Sequence, residues 1–70
     1  MTSFEYRLLN DAAFVLESFT AEDTGKAEER ARALSGRHIE VDRWSGAKNG
    51  FLLERHDGDT WRLVMAWAPG

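Results

Sequence analysis

A chain of 70 residues without a single cysteine has to fold on packing alone, because neither a disulfide nor a thiolate metal site can brace it. Chains of this size bury only about 60% of the surface they expose when unfolded, so one domain over residues 1–70 is all that fits. The composition allows a core: 43% of the residues are hydrophobic and 30% charged, the balance of a globular protein and not of a disordered one.

The apolar residues follow two different periods. Phe4, Tyr6 and Leu8 alternate with Glu5 and Arg7, which predicts a strand with one buried face. Asn10-Asp11 is turn chemistry, and residues 13–19 then read as a second strand whose start is apolar on both sides. Thr20, with a carboxylate three residues on at Asp23, predicts a helix N-cap followed by an acidic first turn. The helix is expected over residues 22–35, with Ala27, Ala31 and Leu34 as a narrow apolar stripe and Gly36 as its stop. Ile39 and Val41 alternate with His38, Glu40 and Asp42 in a third strand that Trp44 extends. Asn49-Gly50 turns the chain into a fourth strand over residues 51–55. His56-Asp57-Gly58-Asp59 then forms a hairpin turn, and residues 61–67 form a fifth strand. The expected fold is α+β, in the order ββαβββ, with a mostly antiparallel sheet and one amphipathic helix packed on one face.

Such a helix offers the core one large side chain, Leu34, and otherwise alanines. The sheet carries more apolar material than that: strict alternation puts Trp61, Leu63, Met65 and Trp67 on one side of the last strand and Val64, Ala66 and Ala68 on the other. Either the sheet curls over its second face or a partner covers it, and an apolar patch of several hundred Å² is a usual mark of an interaction site. Tryptophans commonly anchor such patches, which singles out Trp44, Trp61 and Trp67.

Chemistry is sparsely provided. His38 and His56 have no second ligand at metal-site spacing, and Asp57-Gly58-Asp59-Thr60 lacks the later oxygens of a calcium loop. The adjacent acids Glu22-Asp23 and Glu28-Glu29 fit solvated helix positions, no serine sits in a nucleophile elbow, and Lys48 lies outside P-loop spacing. A non-enzymatic protein without metal or cofactor is expected. The net charge is −3, and its acidic excess lies in residues 1–36, where seven acids face four bases. Nucleic acid is therefore the lesser expectation. Its candidate groups are Arg43, Lys48, Arg55 and Arg62 near Trp44 and Trp61, interleaved with Glu40, Asp42, Glu54, Asp57 and Asp59. The first residues, Met1 to Arg7, carry no basic segment followed by an apolar run, and no apolar stretch approaches the roughly 20 residues of a membrane span. A cytoplasmic site is expected.

The stretch 17–61 combines the helix from Lys26-Ala27 to Ala33-Leu34, the strand Ile39-Glu40-Val41, the turn and strand Asn49-Gly50-Phe51-Leu52 and the hairpin Asp57-Gly58-Asp59-Thr60-Trp61. In this order it resembles a class of small phage and mobile-element proteins that includes type I-F anti-CRISPR inhibitors. The resemblance covers about two thirds of the chain and rests on turn and core signals, which speak to fold more than to activity. It implies a small rigid domain that blocks a nucleic-acid-handling host complex, such as a CRISPR effector, by occupying its surface in the host cytoplasm. The similar inhibitor is basic and this chain is acidic, so no lysine contact carries over. Glu22, Glu28 and Glu29 are instead expected to meet basic residues of the partner, with complementarity speeding encounter and fixing register. A bacterial domain that dimerises through its sheet and a weak single-strand binder are the alternative expectations.

Overall fold

The computed structural model describes residues 2–38 and 50–68. Their elements follow in the order β1 (Phe4–Asn10), β2 (Val15–Ala21), α1 (Thr24–Ser35), a 3-10 turn (Gly36–His38), β3 (Phe51–Asp57) and β4 (Thr60–Trp67). The four strands form one sheet in the order β2-β1-β3-β4, with every neighbouring pair antiparallel. β1 thus lies between β2 and β3, which run parallel to each other and are joined through α1. The predicted α+β class holds. The expected strand through Ile39, Val41 and Trp44 lies outside the described residues.

The helix packs on one face because β1 and β3 place their large apolar side chains there. Tyr6, Leu8, Phe51 and Leu53 are fully buried together with Ala27 and Ala31 of α1. Each large side chain so buried stabilises the fold by about 1.5–3 kcal/mol, and the two alanines let the helix axis approach the sheet. Leu16, Phe19, Leu34, Val64, Met65 and Trp67 close the rim of this core. Tyr6 stacks on Phe19 at 5.8 Å and Phe51 meets Trp67 at 5.7 Å.

The ends of α1 differ from the sequence expectation. Its N-cap is Asp23, with extended backbone (φ −152°) and a carboxylate that accepts from the Lys26 N–H at 2.8 Å. Thr20, the expected cap, belongs to β2 opposite Glu5. The strand runs further than its polarity indicated because pairing with β1 satisfies its backbone through Ala21. The first turn of the helix therefore holds no acid, and Glu22 precedes the helix. Gly36 has φ −58° and is not a left-handed stop, so the chain continues as a 3-10 turn through His38. His38 is consequently not a strand residue: its Nε2 lies 3.0 Å from Glu17 Oε2 and ties the end of α1 to β2.

The two hairpins are built differently. β3 extends through His56 and Asp57 and turns at Gly58-Asp59, where Gly58 takes φ +65°, the sign a II′ turn requires at its first central residue. The β1–β2 connection uses Asp11 to Phe14, so Phe14 is not in the strand predicted for residues 13–19. The Asn10 side-chain oxygen accepts from the N–H groups of Ala12 and Phe14, both at 2.9 Å.

Candidate interaction face

Two β-bulges decide what each side of the sheet carries. On β4, Glu54 faces Leu63 while Leu53 faces Met65, which leaves Val64 as an extra residue. On β2, Leu8 faces Glu17 while Leu9 faces Val15, which leaves Leu16 extra. Among the described residues both bulges lie on edge strands of the sheet, where such irregularities concentrate. Each turns two consecutive side chains toward the helix, Val64 with Met65 and Leu16 with Glu17. The alternation predicted for the last strand is thereby broken: Trp61 and Leu63 point away from α1, whereas Met65 and Trp67 point toward it.

The face turned away from α1, the outer face, consists of three cross-strand rows. Val15, Leu9, Leu52 and Ala66 make the first, Ser18, Arg7, Glu54 and Leu63 the second, and Thr20, Glu5, His56 and Trp61 the third. Leu9 is buried although it lies outside the helix-side cluster, while Leu63 and Val15 are 61% and 51% exposed.

At the centre of this face the charges neutralise one another. Arg7 and Glu54 are direct cross-strand neighbours, and both Nε and a terminal nitrogen of the guanidinium reach the same carboxylate oxygen at 2.6 Å. The guanidinium also stands 4.3 Å from the centroid of Trp61, a cation–π arrangement that fixes the indole. His56 packs on Trp61 at 4.8 Å and holds its Nδ1 3.7 Å from a Glu5 oxygen. Beside Trp61, with Glu5, Ser18 and Thr20, lies a shallow depression of about 390 Å³. The result is an indole held by ionic and aromatic neighbours and flanked by exposed aliphatic side chains, a surface suited to contact with apolar and polar groups alike.

Against this geometry the chain matches no family model, no curated protein and no solved structure.

The residues singled out from sequence do not form one surface. Glu22, Glu28 and Glu29 lie on the helix side, opposite Trp61. Glu22 binds Lys26 at 2.9 Å, and this hydrogen bond, with the carboxylate charge behind it, holds the lysine above its ordinary pKa of 10.5. Glu29 lines a wider groove of about 860 Å³ between α1 and the end of β2. Its two cations are already engaged, Lys26 by Glu22 and Arg30 by the Thr20 carbonyl at 3.2 Å. Trp67 is a core-rim residue on Phe51. Arg55 lies over Phe4 at 5.1 Å, and Arg62, its cross-strand neighbour, is paired to Asp57 at 2.8 Å. Both are on the helix side, so neither shares a face with Trp61. Trp44, Arg43 and Lys48 lie outside the described residues.

Among the described residues no three His, Asp or Glu side chains converge as metal ligands. No described helix is long and apolar enough to cross a membrane. Arg7 and Glu54 were not singled out from sequence, because their meeting depends on β1 pairing with β3 across 47 residues. Local sequence does not mark them, since β1 also carries Glu5 and β3 also carries Arg55, His56 and Asp57.

Proposed function

We propose that this protein is a non-enzymatic protein-binding module that meets its partner through the outer face of the sheet. The observation that carries the reading is Leu63, a large aliphatic side chain 61% exposed beside the clamped indole of Trp61, with Val15 exposed on the same face. Buried aromatic and aliphatic anchors ringed by satisfied polar groups are how protein interfaces concentrate their binding energy. The resemblance to small phage and mobile-element inhibitors supports a finer form of the reading, in which the bound domain occludes a nucleic-acid-handling complex. Association between two copies is a second reading, favoured by β4: among the described residues it is an edge strand, and it carries no charge from Leu63 to Trp67.

Affinity capture with the tagged chain from cells of its source, read by mass spectrometry, tests the proposal. A partner retained by the native chain and lost with Leu63→Ser is the expected result. Recovery of the bait alone, or equal retention by the variant, would overturn it. A sedimentation concentration series in the absence of partner separates the second reading, since only that one requires self-association.

A further inference from the structure

The tip of the β1–β2 hairpin departs from what a turn ordinarily shows to water. Ala12, Ala13, Phe14 and Val15 are four consecutive apolar residues, and all four are exposed, Phe14 by 68% and Val15 by 51%. Exposed apolar runs of this length work against solubility and are a design error unless they serve a function. The other hairpin of the same sheet provides the contrast. Its tip, at the opposite end of the strands, is Asp57-Gly58-Asp59-Thr60, polar throughout and with glycine in the left-handed position.

The apolar tip is also held stiffly. The Asn10 side chain accepts two backbone N–H groups, the Asn10 N–H donates to the Phe14 carbonyl at 3.0 Å, and the Ala13 N–H donates to the Asn10 carbonyl at 3.0 Å. Ala13 sits at φ +66°, a conformation that favours glycine, so the loop maintains a strained alanine in order to keep this shape. An exposed phenyl ring on a rigid, strained loop is a preorganised anchor, because little side-chain or loop freedom remains to be lost on binding.

We infer that Phe14 is the anchor of this tip and inserts into a preformed apolar pocket on a partner protein. The inference rests on the protein-binding reading above and deepens it by naming the feature the partner must carry. Charge selects a protein over an anionic lipid surface. Between Arg7 and Lys26 the chain has no basic residue, and Asp11 stands exposed at the tip. A hairpin so composed is repelled by anionic headgroups, which recruit clusters of lysine and arginine. The pocket it fits is lined by apolar groups, with a neutral or basic rim facing Asp11.

The test uses the full chain with benzoylphenylalanine at position 14 or, as control, at position 59, irradiated in a lysate of the source cells. The expected result is a crosslink from position 14, and not from 59, to a protein that the native chain also captures. In parallel, Phe14→Ser weakens retention of that protein at least tenfold and Phe14→Leu retains most of it, while both variants melt within a few degrees of the native chain. If Leu63→Ser abolishes capture and Phe14→Ser leaves it unchanged, the anchor is overturned and the module reading stands. Failure of the native chain to capture any protein overturns both. Phe14-dependent flotation with phosphatidylglycerol or phosphatidylcholine vesicles, or Phe14-dependent self-association in sedimentation, overturns the protein pocket in favour of lipid or of a second copy.

Discussion

Ala13 and Tyr6 hold the clearest single-residue tensions in this structure. A left-handed backbone costs an L-residue with a Cβ about 1–2 kcal/mol, part of which glycine offsets by its greater freedom when unfolded. Ala13→Gly is therefore expected to raise the unfolding free energy by about 1 kcal/mol, measured by urea denaturation. A loss of stability would show that the φ of +66° is not the strain it is taken to be. Tyr6 is fully buried, and its hydroxyl has no hydrogen-bond partner among the described residues. Burying a hydroxyl without a partner costs about 1–3 kcal/mol on mutational evidence. Tyr6→Phe should thus be at least as stable as the native chain, and a thermal midpoint lowered by more than a few degrees would contradict that. Alternation alone turned Tyr6 inward, but no sequence pattern tells whether a buried hydroxyl finds an acceptor.

The secondary-structure elements were legible where local chemistry acts alone and misjudged where pairing overrides it. The body of α1 follows from its alanine stripe, yet its start shifted from Thr20 to Asp23 because β2 claims Thr20 and Ala21. Asp23→Ala should cost about 1 kcal/mol, as loss of an N-cap typically does. The strand predicted for residues 61–67 forms, with Thr60 added at its start, but the extra Val64 reverses which side Trp61 and Trp67 occupy relative to one another. Deleting Val64 restores simple alternation and forces either Met65 and Trp67 out of the core rim or Trp61 and Leu63 off the outer face, since a one-residue slip exchanges faces. The deletion is expected to abolish a cooperative thermal transition followed by far-UV circular dichroism. Val64→Ala, which keeps the register, should retain one.

For the molecule as a whole, the two sides of the sheet differ in character. The helix side holds Tyr6, Leu8, Phe51 and Leu53 against two alanines and carries the acids that sequence reading marked for a partner, whereas the outer face carries Trp61, Leu63 and the Arg7–Glu54 pair. A chain this short has only about 3–10 kcal/mol of stability at typical values per residue. Leu53→Ala, at about 2–5 kcal/mol for a large-to-small change in a core, should consume most of it and leave a substantial unfolded fraction at 37 °C in a fluorescence melt. The same change at Leu63, outside the core, should shift the midpoint little.

Local pattern settled that this chain is α+β, that Tyr6 and Leu8 of β1 turn inward, and where the body of α1 runs, because period and turn chemistry act over a few neighbouring residues. The sheet order, the two bulges, the Arg7–Glu54–Trp61 assembly and the exposure of Phe14 at a rigid tip came only with the folded chain. They depend on which strands meet across long separations and in what register, and that choice is made by the packing of the whole sheet against one narrow helix rather than by any stretch of residues read alone.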